Sequence, residues 1–245
     1  NAISVVSNAV SIVSTAASNA LSVANAASQA ASVVSQAVSV LSQANSAAHV
    51  SINNAVSVVQ GGDNIYCGTK SGVYYYNQTD KSITRFSKID GFSDIAVNDI
   101  AYHDSTQTLV IGYSSGSIDM VQKGKITNFS DIKSKMLPGS KSINNIKFYE
   151  NRVYFACGFG IVVFDLDKNE FKESYVNIGT NGASPEVYDV VFNNATIYAS
   201  TNEGVLAASM SSSNLMDYNN WYLLDNSSQG TINKANALAV LNNRI

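Results

Sequence analysis

Charged residues are missing from one whole region of this sequence. No Asp, Glu, Lys or Arg occurs in residues 1–62, and neither Pro nor Gly occurs before Gly61, although the whole chain has 18 acidic and 15 basic residues. The formal net charge is only −3, which leaves no broad positive field to neutralise nucleic-acid phosphates. Nucleic acid is therefore not an expected partner, and the abrupt onset of charge marks a boundary between two regions.

Residues that usually build catalytic and metal sites are also scarce. The two histidines, His49 and His103, fall at unrelated positions, which leaves little material for a histidine triad or a zinc site. The two cysteines, Cys67 and Cys157, are too few for a disulfide framework and are interpreted as small buried strand residues. We therefore predict no enzymatic activity, no cofactor, no metal and no catalytic residue. The ligand-binding residues stay unknown at this point.

The uncharged region has the periodicity of a helix. Its apolar residues recur with alternating spacings of three and four, a seven-residue period typical of coiled coils, whereas a strand needs a period of two. We predict a long α-helix of coiled-coil type in a heptad-repeat segment, residues 1–48, that self-associates. The predicted seam consists of Ile3, Val6, Val10, Val13, Ala17, Ala20, Ala24, Ala27, Ala31, Val34, Val38 and Leu41.

Three other interpretations of this segment stay open. A transmembrane span is disfavoured because Ser or Asn interrupts the apolar residues every second or third position. A lone helix rich in Ser, Val and Asn would fray without partners, because its intrinsic propensity is modest. The stretch is also compatible with a low-complexity segment that is not native to the protein that follows it.

The rest of the chain is a repeat. Four glycines, each 44 residues from the next, occupy the same place in four similar segments: Gly72, Gly116, Gly160 and Gly204. A second element precedes each of these and occurs five times, beginning at Ile52, Val97, Ile143, Val187 and Ala235. Each unit reads as strand, polar turn, strand, glycine hairpin, strand, turn and a fourth strand. Four strands in about 45 residues are the signature of a β-propeller blade.

The repeat predicts a mainly β fold, a partial β-propeller at residues 49–245. The predicted blades span about 52–94, 97–139, 143–184 and 187–228, and a fifth begins at 235–245. The fourth strands are predicted at Ser82–Phe86, Lys125–Phe129, Glu170–Tyr175 and Trp221–Leu224. Because the fifth unit stops as its second strand begins, we expect a fragment whose four complete blades form an open arc.

Several segments resemble a known family. Residues 61–76 (GGDNIYCGTKSGVYYY), 87–94 (SKIDGFSD) and 139–146 (GSKSINNI) are similar to the first propeller of the PorZ family of the Bacteroidetes type IX secretion system. Residues 159–166 (FGIVVFDL) and the Asn220-Trp221 pair continue the similarity. The Asp90-Gly-Phe-Ser segment also resembles the two-component-regulator propeller repeat.

The resemblance implies a location and partners. The expected place is the cell surface, associated with the outer membrane, or the periplasm. The implied function is that of a non-enzymatic scaffold, a type IX secretion accessory protein involved in the cell-surface attachment of secreted cargo. Implied partners are protein components of the secretion and attachment machinery and lipopolysaccharide. Two alternatives stay open, a periplasmic sensory propeller of a hybrid two-component regulator and a stalked surface interaction protein.

A few residues are candidates for binding, and each has a structural alternative. The run Tyr74–Tyr76 could stack on sugars, although alternate residues of a third strand more often pack between blades. The acidic pairs Asp165 with Asp167 and Glu170 with Glu173 are interpreted as solvated turns and edges. Gly158 and Gly160 lack the strand-then-helix context of a phosphate-binding loop.

Overall fold

The computed structural model describes residues 10–15, 17–19, 21, 25, 28, 31–32, 34–35, 54–86, 88–136, 139–224, 234–242 and 244–245. The chain divides into two compact units, Asn1–Ser51 and Ile52–Ile245.

The described residues of the first unit are helical. Thr15 and Ser18 each donate a side-chain hydrogen bond to the carbonyl oxygen four residues earlier, which is the register of an α-helix. Val10 and Val13 of the predicted seam are 62% and 67% exposed. The long coiled-coil helix is not shown, because most of residues 1–48 lie outside the described residues, and self-association stays a prediction. Within the described part of the chain, no helix is both long and apolar enough to cross a membrane.

The second unit contains four antiparallel sheets of four strands each. In every sheet the strands lie in chain order, and each is hydrogen-bonded to the next. The first two sheets contain β1 Ala55–Gly61, β2 Asn64–Thr69, β3 Gly72–Asn77, β4 Ile83–Phe86, β5 Val97–His103, β6 Thr108–Tyr113, β7 Ile118–Gln122 and β8 Lys125–Phe129. The next two contain β9 Ile143–Tyr149, β10 Arg152–Cys157, β11 Gly160–Asp165, β12 Glu170–Tyr175, β13 Val187–Asn193, β14 Thr196–Thr201, β15 Gly204–Ser209 and β16 Trp221–Leu223.

The sheets follow one another as the blades of a propeller do. The first strands of consecutive sheets, β1, β5, β9 and β13, are neighbours in that order, and we call them the inner strands. Two predicted fourth strands, Lys125–Phe129 and Glu170–Tyr175, have the observed bounds. The longer connections between strands contain the helical turn Asp131–Ser134 and the 3₁₀ turns Lys88–Asp90, Thr180–Gly182 and Tyr218–Asn220.

The repeated glycine lies at the hairpin between the second and third strands. All four copies have positive φ, between 82° and 135°. At Gly160 an added Cβ would press on the backbone carbonyl oxygen of Tyr175, so this position needs both the backbone freedom and the small size of glycine. The same hairpin position thus takes glycine in all four sheets, because its backbone conformation is one that other residues rarely adopt.

The hydrophobic core lies between adjacent sheets. Side chains of β10 alternate in direction, so that Phe155 and Cys157 pack towards the second sheet while Tyr154 and Ala156 pack towards the fourth. Both faces of this strand are covered, which explains why a continuous apolar run, and not an alternating pattern, forms it. Each fully buried large side chain contributes about 1.5–3 kcal/mol of transfer free energy.

Small residues let consecutive sheets approach each other closely. Gly112 lies in the second strand of the second sheet and faces the next inner strand. A Cβ at Gly112 would lie 2.6 Å from Cγ2 of Ile143, and one at Gly68 would lie 2.7 Å from Cγ1 of Val97. The contact between the first and second sheets and the contact between the second and third sheets therefore both place a glycine of a second strand against the next inner strand.

The fifth repeat does not form the strand that its sequence predicts. Residues 234–240 belong to no ladder, and one isolated bridge joins Leu241 to Arg244. An inner strand needs the second strand of its own sheet as a partner, and no described residue takes that role. The segment is nevertheless held on the fourth sheet, because Ala235 N–H donates to the Thr201 carbonyl oxygen over 3.3 Å.

Candidate functional site

The strand order separates two ends of the propeller unit. The hairpins between second and third strands, and the connections from each fourth strand to the next inner strand, lie at one end, which we call the linker end. The turns between first and second strands and those between third and fourth strands lie at the opposite end, which we call the turn end. Most of these turns are shorter than the connections at the linker end. Longer connections on a rigid scaffold are where binding residues concentrate, so the linker end is the first candidate surface.

A half-buried carboxylate joins three sheets along the inner strands. Asp99 on β5 accepts a hydrogen bond from the Ser57 hydroxyl of the first sheet over 2.6 Å. Its other oxygen accepts the backbone N–H of Ile146 in the third sheet over 2.8 Å. Asp99 therefore fixes the relative position of three neighbouring inner strands.

Asp189, at the same place in the fourth sheet, also joins neighbouring sheets through hydrogen bonds. One of its oxygens accepts the N–H of Leu238 in the fifth repeat over 3.0 Å. The other accepts the N–H of Val190 over 2.8 Å and lies 3.8 Å from Nζ of Lys147 on the third sheet. Asp189 thus links the fourth sheet to both of its neighbours.

The third sheet lacks this link. Asn145 takes the same place in the repeat, but its buried Oδ1 has no hydrogen-bond partner among the described residues. In the fourth sheet, Val190 takes the place that Ile146 has in the third sheet. The N–H of Val190 donates to Asp189 and not to Asn145. The ion pair of Lys147 with Asp189 links the third sheet to the fourth, where Asn145 does not.

The second residue of the repeated element makes another row of contacts between sheets. Asn98 donates to the hydroxyl of Ser142 over 2.6 Å, and Asn144 donates to the carbonyl oxygen of Val187 over 2.7 Å. Lys70 reaches the Asn98 amide oxygen over 2.6 Å from the first sheet. The Asn-Asp and Asn-Asn pairs of the repeat are therefore structural links between blades.

Asp99 is expected to make the stability of the protein depend on pH. Burial raises the pKa of Asp99, against the opposing effects of the Ser57 hydroxyl, the Ile146 and Ile100 amides and the Lys147 charge. A raised pKa in the folded state means that Asp99 stabilises the fold fully below its unfolded pKa of about 4, and that this contribution is lost as pH rises through the folded pKa. Asp99→Asn removes that titration.

The measurement is urea unfolding of the wild type and Asp99→Asn from pH 3.5 to 7. We expect the free energy of unfolding of the wild type, relative to the variant, to fall as pH rises. A difference that is constant with pH, or that grows, would contradict this assignment. Asp104→Asn is the control, because Asp104 lies in the turn after the same strand.

A third carboxylate, Asp119, was not predicted from the sequence. Asp119 on β7 is fully buried and accepts hydrogen bonds from the Tyr113 hydroxyl and the Asn128 amide, both over 2.7 Å. It also accepts the N–H and the hydroxyl of Ser93. Asn128 donates in addition to the Gly91 carbonyl oxygen over 3.0 Å. Asp119, together with its partner Asn128, therefore fixes the segment Asp90-Gly-Phe-Ser to the second sheet.

The tyrosine run packs against its own sheet and does not form one open face. Tyr74 is 2% exposed, with the Arg85 guanidinium 5.7 Å above its ring. Tyr75 packs against Phe86 at 5.2 Å between ring centroids. Tyr75 and Tyr76 are both half-buried, and Nζ of Lys81 lies 6.0 Å from the centre of the Tyr76 ring.

The acidic pairs lie at the turn end and along β12. Asp165 caps its turn by accepting the N–H groups of Asp167 and Lys168 over 3.1 Å each. Both aspartates border an open depression of about 340 Å³. Glu173 accepts the Tyr175 hydroxyl over 2.9 Å. Among the described residues, no group of three or more acidic, histidine or cysteine side chains could hold a metal ion.

The remaining candidates also lie in the framework. His103 packs its ring against Phe148 at 4.8 Å and has a ring nitrogen 2.8 Å from the Thr106 hydroxyl. His49 lies outside the described residues. Burial raises the pKa of the Cys67 thiol to about 11 and also raises that of Cys157, so both are inert buried thiols.

Comparison with known proteins identifies the family. A family model for the N-terminal β-propeller domain of PorZ, a protein of the type IX secretion system, matches residues 65–222, more than half of the chain. The chain belongs to this family. The PorZ model covers strands β2 to β15 and most of β16, so the four sheets described above are the family's propeller blades.

Solved structures support the same fold. The structure of PorZ of Porphyromonas gingivalis, described as an essential bacterial surface component of the type IX secretion system, is 25% identical, with a TM-score of 0.62 over 72% of this chain. The chain spans 23% of that protein's length. The extracellular domain of a putative hybrid two-component system of B. thetaiotaomicron gives a TM-score of 0.58 at 12% identity, covering 74% of this chain and 24% of that one. A comparison with curated protein sequences gives no match.

Proposed function

We propose that this chain is a non-enzymatic binding and scaffolding propeller, a type IX secretion accessory protein that acts at the cell surface or in the periplasm in the attachment of secreted cargo. The observation that carries the proposal is the family match over residues 65–222. The surface location of the similar PorZ protein supports it. Its partners would be protein components of the attachment machinery and lipopolysaccharide.

The chemistry of the described residues supports a scaffold. The buried carboxylates Asp119 and Asp189 and the half-buried Asp99 are held by donors from neighbouring strands and sheets, and so serve the framework. A carboxylate whose oxygens are already occupied by hydrogen bonds is poorly placed for general acid–base work.

The proposal is tested by cross-linking the tagged full chain in cells that have a type IX secretion system. We expect recovery of secretion or attachment components together with lipopolysaccharide. A designed propeller with the same tag controls for non-specific capture, and an isogenic strain without the secretion system controls for pathway dependence. Equal recovery from all three samples would count against the proposal.

A sensory propeller of a hybrid two-component regulator is the second candidate. The fold similarity to the extracellular domain from B. thetaiotaomicron favours it. The reading frame around the chain separates the two candidates, since a transmembrane helix and a kinase domain downstream would support sensing. A stalked surface protein, the third candidate, requires residues 1–48 to oligomerise, which sedimentation of that segment on a neutral carrier would measure.

A further inference from the structure

Two loop tips at the linker end carry nearly fully exposed aliphatic side chains. The first tip is the 3₁₀ turn Lys88–Asp90, in which Ile89 is 98% exposed. The second tip is residues 133–136, where Met136 is 101% exposed. Each aliphatic side chain stands beside a lysine, Lys88 in the first tip and Lys135 in the second. Both tips belong to connections that lead from a fourth strand to the next inner strand, so they face the same side of the propeller.

The first tip is held in position by buried anchors. Phe92 is 5% exposed and stacks on Phe86 at 4.9 Å. The neighbouring Ser93 is bound by Asp119 through its N–H and hydroxyl groups. Ile89 therefore projects from a fixed turn.

The second tip is anchored in a similar way. Ile132 is 2% exposed and packs in the core between the second and third sheets. Lys141 donates to the Lys133 carbonyl oxygen over 2.7 Å, and the helical turn supplies the hydrogen bond from Lys135 N–H to the Asp131 carbonyl oxygen. Met136 therefore extends into solvent directly after a turn that is fixed to the core.

Positive charge concentrates around the two tips. The hairpins and connections at the linker end of the first two sheets carry five lysines, Lys70, Lys88, Lys133, Lys135 and Lys141, against three aspartates, Asp90, Asp94 and Asp131. The corresponding segments of the third sheet, residues 158–159 and 176–186, and the hairpin of the fourth sheet, residues 202–203, together carry no Lys or Arg and two glutamates. In a chain of net charge −3, this asymmetry selects an anionic partner for the first two sheets.

Both tips border the same hairpin of the second sheet. Asp94, which follows the first tip, lies 3.7 Å from Nζ of Lys88, and the Ile95 N–H together with Ser115 of this hairpin lowers the pKa of Asp94. On the side of the second tip, a Cβ added at Gly116 of the same hairpin would lie 3.2 Å from Cγ2 of Ile132. The two tips are therefore neighbours at the linker end.

We propose that the two tips form a docking surface for a phosphate-bearing lipid layer, with Ile89 and Met136 entering the interface and the lysines contacting the phosphates. Separate aliphatic side chains on projecting turns, each beside a lysine, suit a soft amphiphilic surface, because apolar groups can enter it while ammonium groups stay with the headgroups. A protein interface would instead need a contiguous, packed apolar centre. The inference deepens the proposed function and rests on it for the class of partner, a lipid of the cell surface; it adds the residues that would contact that lipid layer.

The test is flotation of the full chain with vesicles of phosphatidylcholine containing about 30% phosphatidylglycerol, against phosphatidylcholine alone. Binding to the anionic vesicles is expected in 50 mM NaCl and its loss in 500 mM NaCl. The double variant Ile89→Ser, Met136→Ser should bind at least roughly tenfold more weakly, from the lost apolar insertion. The double variant Lys133→Gln, Lys135→Gln should bind about 25-fold more weakly, from a loss of about fivefold per lysine.

Matched controls lie away from the tips. Lys123→Gln with Lys125→Gln changes charge equally at the turn end, and Met216→Ser removes a 55% exposed aliphatic side chain elsewhere. Both should bind as the wild type does, and unchanged circular dichroism should show that all variants fold.

Three results would overturn the proposal. The first is equal binding to neutral and anionic vesicles, and the second is equal loss in tip and control variants. The third is competition by soluble polyglutamate that does not depend on Ile89 and Met136, which would assign the surface to an acidic polypeptide instead. Because the vesicles contain no secretion component, failure here would leave the cross-linking result on the proposed function unaffected.

Discussion

Replacing Gly160 with alanine is expected to lower the free energy of unfolding by about 3–5 kcal/mol, from backbone strain and overpacking together. Gly160 has a φ of 135°, where a residue with a Cβ is strained. The new Cβ would also press on the carbonyl oxygen of Tyr175 and lie 3.0 Å from Cα of Val176. These contacts are backbone atoms of β12 and the residue that follows it, so they cannot rotate away as a side chain would. Urea denaturation followed by tryptophan fluorescence measures the change.

Gly124→Ala is the matched control. Gly124 also has positive φ, 78°, but an added Cβ there would meet nothing within 4 Å. We expect it to lose only about 1–2 kcal/mol, the cost of left-handed backbone by itself. If the two variants lost the same free energy, the packing of the hairpin against β12 would not be the cause.

Removal of the Asp119 carboxylate is the second large effect. Asp119→Ala would leave the Tyr113 hydroxyl, the Asn128 amide and both donors of Ser93 without their acceptor inside the core. We expect a loss of about 3–5 kcal/mol, the range found when one partner of a buried charged network is removed. Thermal and urea unfolding of the variant provide the measurement.

A surface carboxylate provides the comparison for Asp119. Asp165 also accepts two backbone N–H groups, but in an exposed turn where water can replace it. Asp165→Ala should cost about 0.5–1.5 kcal/mol. A loss for Asp119→Ala no larger than this would show that its network does not hold the second sheet together. Because Asp119 also binds Ser93, its replacement should loosen the turn that carries Ile89.

Local sequence signals were sufficient for the strands of the propeller. The strand Lys125–Phe129 lies between a Lys-Gly turn and a Ser-Asp helix start, and its bounds were predicted correctly. The predicted fourth strand Ser82–Phe86 begins one residue later, at Ile83, because Ser82 still belongs to the preceding turn, where its N–H donates to Asp80. Such turns depend on residues a few positions apart, and a single sequence shows them.

The fifth repeat and the heptad segment show where a local pattern is not enough. Residues 235–239 repeat the inner-strand motif, yet no strand forms there, because a strand also needs a ladder partner. The heptads predict a coiled coil, but the seam residues Val10 and Val13 are exposed in the single chain, since a seam is buried only against a second helix.

The candidate binding surface was not visible in the sequence. Nothing in the sequence distinguishes Lys88-Ile-Asp and Lys135-Met from other loop segments. Only the strand order shows that both connections lie at the same end of the blades. The sequence did contain a signal for the carboxylates that join the sheets, since Asp99 and Asp189 recur at the same place in the repeat. Their acceptor role was missed because the donors are the backbone amides of Ile146 and Leu238, more than 45 residues away.

The amino-acid order alone determined the period, the four-stranded unit and the hairpin glycine of each blade, because these depend on alternation and turn chemistry within about ten residues. Only the tertiary structure decided which carboxylates are buried, which blades they join and which aliphatic side chains remain in water. The physical reason is that these outcomes depend on contacts between residues far apart in the chain: Asp99 and Asp189 accept from donors about a whole repeat away, and Asp119 accepts from Ser93 in the preceding connection.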